Sequence, residues 1–331
     1  MNVLITGGSG YVAGRLAQYL CSFSNTNVVV ASRQSSISFF ESLPEVDVCQ
    51  LDWESDISLS EACKGIDVVI HAAGMAAAQC AKSPVEAFRV NAVGTGRLLQ
   101  EALKQGVKRF LFLSTAHVYA SPLVGTINEQ TPSLNLHPYA SSNRAGEDLV
   151  RYIGQLDGIE SVVVRLSNVF GVPINALTNC WHLVVNNFCR QAVINKKICI
   201  NSSGLQRRDF ISMSNASRAL HHLMYMDYEK LGEGVINVGG SWSPTIKDVA
   251  CMVRDRCQHV LGFAPDLEFM SSGNGEEILD FKYETTLLTN TDFELQNDVI
   301  QELDNLLLFC QKAFCYERSN IGDVLGAADK G

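Results

Sequence analysis

The sequence contains no Cys-x-x-Cys pair and no apolar run of 18 residues, although 11 of its 331 residues are cysteine. The cysteines are scattered and odd in number, so they indicate neither a zinc site nor a disulfide framework. We expect reduced thiols in a cytoplasm. Without a long apolar run, no membrane span is expected. The net charge of −9 argues against nucleic acid or an anionic membrane as a main partner.

Internal repeats and low-complexity linkers are also absent from the sequence. The first apolar run begins at Val3, which leaves no room for a secretory signal. No histidine–carboxylate cluster has ligand spacing, so we expect no metal site. A length of 331 residues and an apolar content of 47% allow one large domain or two coupled ones.

Near-continuous apolar runs alternate with helical patterns through the first half of the chain. The runs cover 3–5, 27–31, 46–51, 67–73, 108–113 and 161–166. Such runs are typical of parallel strands covered on both faces. We predict a Rossmann-type doubly wound parallel sheet and a smaller mixed α/β substrate lobe. The predicted division is 1–171 for the dinucleotide-binding domain, to which 207–240 returns, 172–206 and 241–316 for the lobe, and 317–331 for a flexible tail.

Capping residues predict several helix starts. The segment Ser83-Pro84-Val85-Glu86 has the spacing of a capping box and predicts a helix to about residue 104. Ser214 predicts the start of a second helix, and Thr245 with Asp248 predicts a third.

The segment from Thr6 to Gly14 is rich in glycine and lies between an apolar run and a helical pattern. Glycines let the backbone approach a pyrophosphate, which the positive end of the following helix then holds. This order predicts a dinucleotide site, the alternative being a tight turn without a ligand. The second predicted strand ends in Ser32-Arg33, where NAD-binding proteins usually have an acidic residue. NADP is therefore favoured and NAD remains possible.

Seven segments, in order, resemble the extended short-chain dehydrogenase/reductase family of NAD(P)-dependent nucleotide-sugar epimerases, dehydratases and ketoreductases. They are the glycine loop, Asp67 to Gly74, Ser83 to Thr95, Leu113 to Tyr119, Pro138 to Ser142, Arg165 to Gly171 and Arg207 to Ile211. The family usually has glycine where this chain has Ala13.

The resemblance implies a role for residues in each segment. Tyr139 would exchange a proton with a sugar hydroxyl or ketone, and Thr115 would hold the same oxygen. Substrate would be bound by Ser114, Thr115, His117, Asn168 and Arg208, the last two on its diphosphate. The coenzyme would be bound by Gly7, Gly10, Tyr11, Val12, Arg33, Asp52, Trp53, Ala72, Ala73, Gly74, Asn91, Tyr139 and Asn143.

Position 143 departs from the family, which has a lysine four residues after the tyrosine. Lysine binds the ribose and depresses the tyrosine pKa, whereas Asn143 carries no charge. If that depression amounts to roughly three pKa units, its loss would cost about 4 kcal/mol of phenolate stabilisation. Arg144 lies about 100° further round the helix and is not expected to substitute. Because ketone reduction needs a neutral tyrosine and alcohol oxidation needs a phenolate, Asn143 favours a ketoreductase.

Position 117 bears on the reaction as well. Hexose 4,6-dehydratases of the family have a glutamate where this chain has His117, so dehydration is not expected. Histidine titrates near neutral pH, which makes His117 a candidate second proton-transfer group, the alternative being a wall residue.

The sequence therefore predicts NADP-dependent reduction of a keto group on a nucleotide-activated sugar, a reaction suited to polysaccharide synthesis. The alternatives are a nucleotide-sugar epimerase that keeps NAD bound, and a cofactor-binding regulator without chemistry. By analogy with the fold, a homodimer would form through helices 84–104 and 140–156.

Overall fold

A computed structural model describes residues 1–33, 40, 43, 45–156, 158–271 and 277–316, the last residue by its backbone alone. The predicted tail over 317–331 lies outside these residues. The strands are β1 (Asn2–Thr6), β2 (Asn27–Ser32), β3 (Val46–Gln50), β4 (Val68–His71), β5 (Arg109–Thr115), β6 (Gly125–Ile127), β7 (Glu160–Leu166), β8 (Asn168–Phe170), β9 (Lys197–Ile200), β10 (Phe210–Ser212), β11 (Val235–Val238), β12 (Asp266–Phe269) and β13 (Phe281–Tyr283). The six apolar runs of the sequence thus all form strands.

The helices of the described ranges are α1 (Tyr11–Leu20), α2 (Asp56–Cys63), α3 (Ala77–Lys82), α4 (Pro84–Phe88), α5 (Thr95–Lys104), α6 (Pro138–Gly154), α7 (Val184–Asn195), α8 (Met213–Tyr225), α9 (Ile246–Leu261), α10 (Thr286–Thr289) and α11 (Val299–Gln311). No helix within these ranges is long and apolar enough to cross a membrane.

A seven-stranded sheet organises the molecule, in the order β11-β7-β5-β4-β1-β2-β3. All of its strand pairs are parallel. Because both faces are covered by helices, side chains of both faces are apolar: Val3 and Ile5 of β1 join one buried cluster, and Leu4 joins the other. Helices α1 and α8 cover the first face, and α2, α5 and α6 cover the second. The predicted doubly wound fold is confirmed.

The predicted helix from residue 84 to residue 104 is interrupted by one π-helical stretch. Helix α4 runs into a π-helix over Arg89–Gly94, and α5 follows directly. The predicted capping box is wrong, because the Ser83 side chain makes no cap hydrogen bond. Ser83 also ends α3, where its N–H donates to the Gln79 carbonyl at 3.0 Å, and its φ of −138° and ψ of 72° lie outside the usual cap conformation.

Two further helix starts were predicted from the sequence. The Ser214 cap is wrong, since Ser212 precedes α8 and its hydroxyl accepts a hydrogen bond from the Asn215 N–H. The capping box of Thr245 and Asp248 at α9 is confirmed, with both reciprocal hydrogen bonds present.

The second half of the chain adds a smaller core. Helices α7, α9 and α11 pack around buried side chains such as Phe188, Val253 and Leu306. Three short parallel strand pairs lie outside the main sheet: β8 with β10, β9 with β12, and β6 with β13. The first two pairs contribute to this core, and the third belongs to a separate small cluster with Tyr119. Strand β11 returns to the main sheet beside β7.

Candidate active site

The glycine loop connects β1 to α1 at the carboxyl edge of the sheet. Gly7 has a φ of +77°, and a Cβ added there would come within 2.9 Å of the Ala72 and Ala73 backbone. Gly10 donates to the Gly7 carbonyl at 2.7 Å and precedes α1 without any side-chain cap. Backbone N–H groups at the start of α1 are therefore free of a side-chain cap, and the cradle suits a pyrophosphate.

The two residues after the loop have different surroundings. Val12 is half-buried and packs against the buried cluster that contains Val3 and Ile5. Tyr11 is buried, and its hydroxyl donates a 2.7 Å hydrogen bond to the carbonyl of Gly171. The Tyr11 side chain is thus directed at the segment after β8, so only its backbone is left for a coenzyme contact.

The adenine end of the predicted site lies after β2 and β3. Arg33 is exposed, and its carbonyl accepts from the Gln50 side chain at 3.3 Å. Asp52 is exposed, and one of its carboxylate oxygens accepts from the Glu54 N–H at 3.0 Å. The ring of Trp53 lies 5.6 Å from that of His71. These residues line the carboxyl edge next to the glycine loop.

Asn91 holds the segment after β4. Its side-chain oxygen accepts from the Met75 N–H at 2.8 Å, and its amide donates to the Ser142 hydroxyl at 2.9 Å. A Cβ added at Gly74 would lie 3.2 Å from the same oxygen. Asn91 therefore joins the Ala72 to Gly74 segment to the helix that carries Tyr139.

His71 lies in a buried chain of hydrogen bonds that the sequence does not reveal. Thr6 Oγ1 is 2.7 Å from its Nδ1, and Thr95 Oγ1 is 3.0 Å from its Nε2. Because Thr95 donates to the Asn91 carbonyl at 2.7 Å, it accepts from Nε2–H, which assigns the tautomer. Burial lowers the pKa of His71 to about 3, so the ring is neutral.

Thr115 and Tyr139 meet at the end of β5. The Thr115 hydroxyl is close enough to the Tyr139 hydroxyl to act on its pKa, and Thr115 Oγ1 accepts from the His117 N–H at 3.2 Å. Burial raises the pKa of the Tyr139 hydroxyl, and the nearby Thr115 hydroxyl lowers it by less. The predicted pair is therefore together, and Tyr139 carries its proton at neutral pH.

The Ser114 hydroxyl, predicted to bind substrate, is used in a buried contact. Ser114 is buried, and its hydroxyl donates to the Glu147 carboxylate. Glu147 in turn pairs with Arg165 at 2.7 Å, and the two side chains are 1% and 7% exposed. Arg165 stacks over the Tyr119 ring at 4.7 Å. This buried ion pair holds α6 against β7, and it was not predicted from the sequence.

Asn143 turns back onto its own helix. Its side-chain amide donates to the Tyr139 carbonyl at 2.7 Å. Arg144 donates to the Ser133 carbonyl at 2.6 Å, so its charge is held at a loop rather than beside the tyrosine hydroxyl.

Arg208 and His137 lie close enough to His117 for their charges to act on it. Burial lowers the pKa of His117, and together with smaller contributions from the charges of Arg208 and His137 it brings that pKa to about 4. A neutral His117 can exchange hydrogen bonds but is a poor proton donor at neutral pH. His137 was not predicted from the sequence: its Nδ1 accepts from the Tyr139 N–H at 3.2 Å and caps α6. Its signal in the sequence is its place directly before a proline at the first helical position.

Parallel pairing of β8 with β10 brings the two predicted diphosphate segments side by side. Asn168 pairs with Phe210, and its side-chain amide donates to the Asp209 carbonyl at 2.9 Å. Burial raises the pKa of Asp209 to about 6, although its carboxylate accepts from the Gly240 N–H at 2.9 Å. Burial also lowers the pKa of the neighbouring Arg208. Within the described ranges, no group of three or more His, Cys, Asp and Glu side chains could hold a metal ion.

A cavity of about 770 Å³ opens at the opposite, amino edge of the sheet. Its charged lining is already paired, Lys108 with Asp67 at 2.8 Å and Arg109 with Glu160. Ligands of open parallel sheets bind at the carboxyl edge, where the residues above lie. We therefore take that edge as the candidate site.

A known family model matches the part of the chain that contains the parallel sheet and the glycine loop. The model of the NAD dependent epimerase/dehydratase family matches residues 3–239, and the chain belongs to this family. A UDP-glucose 4-epimerase of Halalkalibacterium halodurans is 25% identical over 291 residues, which cover 83% of this chain and 85% of that protein. A dTDP-D-glucose 4,6-dehydratase of Mus musculus is 28% identical over 269 residues, 75% of this chain and 70% of that protein.

Solved structures share the fold. UDP-glucuronic acid 4-epimerase from Bacillus cereus, in complex with UDP-glucuronic acid and NAD, has a TM-score of 0.79 at 20% identity and covers 95% of this chain and all of its own. UDP-N-acetylglucosamine 4-epimerase from Methanobrevibacter ruminantium, in complex with UDP-N-acetylmuramic acid, has a TM-score of 0.78 at 23% identity. The match covers 93% of this chain and 97% of that protein. At these identities the likeness concerns the fold alone.

Proposed function

We propose that this chain is an NAD(P)-dependent oxidoreductase that reduces a keto group on a nucleotide-activated sugar. The observation that carries the proposal is the hydroxyl pair of Tyr139 and Thr115 beside an uncharged residue 143. Burial raises the pKa of Tyr139, and no ammonium group follows it one turn later. A tyrosine in this state is a general acid, which ketone reduction requires.

The roles of the side chains follow from this arrangement. Thr115 orients the keto oxygen, and Tyr139 donates the proton to it. Asn168 and Arg208, on adjacent strands, hold the substrate diphosphate. A bound nicotinamide coenzyme supplies the hydride. His117, kept neutral by burial, acts as a hydrogen-bonding group for the sugar.

The coenzyme would be held by the glycine loop with Gly7, Gly10 and the backbone of Tyr11 and Val12, and by Asp52, Trp53 and Ala72 to Gly74, which Asn91 holds in place. The fit is supported by the space that glycines leave at the loop and by the uncapped start of α1. The exposed Arg33 at the end of β2 is the group we expect to select NADP through its 2′-phosphate. NAD is the alternative, and several related structures contain it.

A nucleotide-sugar epimerase is the second candidate, because relatives at comparable identity carry that name. Coenzyme released from the purified protein by denaturation, together with NADPH consumption on UDP- and dTDP-4-keto sugars, separates the two. A ketoreductase oxidises NADPH stoichiometrically, whereas an epimerase copurifies with NAD and interconverts sugars without net oxidation. Coenzyme binding without turnover on any of these sugars would favour the regulatory alternative instead.

We also propose a homodimer formed through residues 84–104 and 140–156. Helix α6 packs beside α4 and the π-helical stretch, and their outer surface carries exposed apolar side chains. Val85 is 85% exposed and Tyr152 64%, and Val93 and Leu156 are exposed in the same two segments. Sedimentation of wild type and Tyr152→Glu should give a dimer and a monomer respectively; a monomeric wild type would contradict the proposal.

A further inference from the structure

The carbonyl of Gly171 receives two buried hydrogen bonds from different parts of the chain. The Tyr11 hydroxyl donates at 2.7 Å and the Asn186 side-chain amide at 2.9 Å. The Gly171 N–H donates to the Asn186 side-chain oxygen at 3.3 Å. Tyr11 is the first residue of α1 after the glycine loop, and Asn186 is on α7 of the second core.

The junction formed by Tyr11, Gly171 and Asn186 is closely packed. Gly171 has a φ of +140°, and a Cβ there would come within 2.1 Å of the Glu302 carboxylate. That carboxylate accepts from the Val172 N–H at 3.2 Å. One turn along α1, a Cβ added at Gly14 would lie 3.1 Å from the Ile174 side chain. Helix α1 therefore contacts the segment after β8 at two points, and α11 closes the junction.

The junction joins the two halves of the proposed site. Its first half is the glycine loop that would hold the coenzyme pyrophosphate. Its second half begins at Asn168, three residues before Gly171, which would hold the substrate diphosphate. A coenzyme bound at the loop would contact the start of α1, and the Tyr11 hydroxyl links that start to the Gly171 carbonyl. Both ends of such a link must affect each other equally.

We propose that the Tyr11 hydroxyl is a positioning group that couples coenzyme binding to nucleotide-sugar binding, an inference that rests on the proposed function. Saturation with NADP⁺ then tightens the binding of UDP, used as the substrate probe, by about fivefold, at the low end of usual coupling. UDP tightens NADP⁺ binding by the same factor.

Calorimetric titration of UDP with and without NADP⁺ tests this on wild type, Tyr11→Phe and Tyr19→Phe. In Tyr11→Phe the ring remains and Gly171 keeps Asn186 as a donor, so no buried acceptor is left unpaired. We expect its coupling ratio to fall to about one, while NADP⁺ affinity alone changes less than about twofold. Tyr19 is in the same helix and should keep the wild-type ratio.

Each outcome has a distinct meaning. A wild-type ratio in Tyr11→Phe, or no coupling in wild type, overturns the inference and leaves the proposed function standing. A loss of NADP⁺ affinity in Tyr11→Phe that is as large without UDP as with it would also overturn the inference, because Tyr11 would then only shape the glycine loop. Failure of wild type to bind either NADP⁺ or NAD⁺ would remove the proposed function itself. Should Tyr11→Phe not fold, Asn186→Ser weakens the same junction from α7 and should lower the ratio.

Discussion

The side-chain amide of Asn143 donates a 2.7 Å hydrogen bond to the backbone carbonyl of Tyr139, one turn earlier in the same helix. The group that replaces the family's lysine is therefore used within α6. It neither adds a positive charge near the Tyr139 hydroxyl nor points away from the helix. Burial then raises the pKa of that hydroxyl unopposed by a cation at residue 143.

The first prediction concerns the substitution Asn143→Lys. An ammonium group at this position should lower the pKa of Tyr139, and lowering that pKa by one allows about tenfold more phenolate at neutral pH. If the pKa falls by about one to three, oxidation of the sugar alcohol at pH 7 should rise by about 10- to 1000-fold. Ketone reduction, which uses the neutral tyrosine, should change little.

The measurement is the pH profile of kcat/KM in both directions. Arg144→Lys is the matched control, because that side chain is held at the Ser133 carbonyl and should leave the profile of wild type unchanged. An oxidation profile of Asn143→Lys that coincides with wild type would mean that residue 143 does not act on the tyrosine.

The second prediction concerns coenzyme choice. Removing the guanidinium by Arg33→Ala should weaken NADP⁺ binding by about tenfold or more, the value of one charge-assisted hydrogen bond to a phosphate. NAD⁺ binding in the same variant serves as the control and should stay within about twofold, since it has no 2′-phosphate. Equal losses for both coenzymes, measured by calorimetry, would show that Arg33 does not read the 2′-phosphate.

Much of the fold could be predicted because its strands are buried on both faces. Runs such as 67–73 and 161–166 have no polar alternation to confuse them with surface strands. Helix starts were less predictable, since a cap depends on backbone angles as well as residue type. Ser83 has the right spacing but ends one helix while starting another, so its hydroxyl is not used. Ser212 caps α8 in place of Ser214.

The candidate site also has a part that the sequence predicts and a part that it does not. Local segments place the predicted part: the glycine loop follows β1, Thr115 ends β5, and Tyr139 lies in the first turn of α6 directly after Pro138. Contacts between distant segments were beyond sequence reasoning. The Tyr11 hydroxyl meets a carbonyl 160 residues away, and Ser114 meets Glu147 across two elements. Such partners become visible only when the sheet order is known.

The third prediction concerns the buried pair of Glu147 and Arg165, which are 1% and 7% exposed. Glu147→Ala would leave the guanidinium buried without its carboxylate and the Ser114 hydroxyl without its acceptor. We expect the free energy of unfolding to fall by about 3–5 kcal/mol. The double variant Glu147→Leu with Arg165→Met, which removes both charges, should lose less. Urea unfolding at pH 7 measures both; a Glu147→Ala loss below about 1 kcal/mol would contradict the expected burial cost.

The last prediction concerns His71 and the pH dependence of stability. Burial lowers its pKa to about 3 in the folded chain, against an ordinary value of 6.5. Between these values the unfolded chain binds a proton that the folded chain does not. A group with a depressed folded pKa stabilises fully above pH 6.5 and loses that contribution as the pH falls towards 3. At pH 5 the loss is about 2 kcal/mol.

The variant His71→Asn tests this contribution. It should be less stable than wild type at pH 7 by about 1–3 kcal/mol, because the hydrogen bonds to Thr6 and Thr95 are disturbed. Between pH 7 and pH 5, however, it should lose about 2 kcal/mol less than wild type does. Urea unfolding at both pH values gives the two differences. His259→Asn removes an exposed histidine of α9 and separates the effect of position 71 from that of losing any histidine. If wild type and His71→Asn lost equal stability between pH 7 and pH 5, the prediction would be wrong. That result would mean that His71 is protonated in the folded protein, against the hydrogen bonds that run from Thr6 through His71 and Thr95 to Asn91.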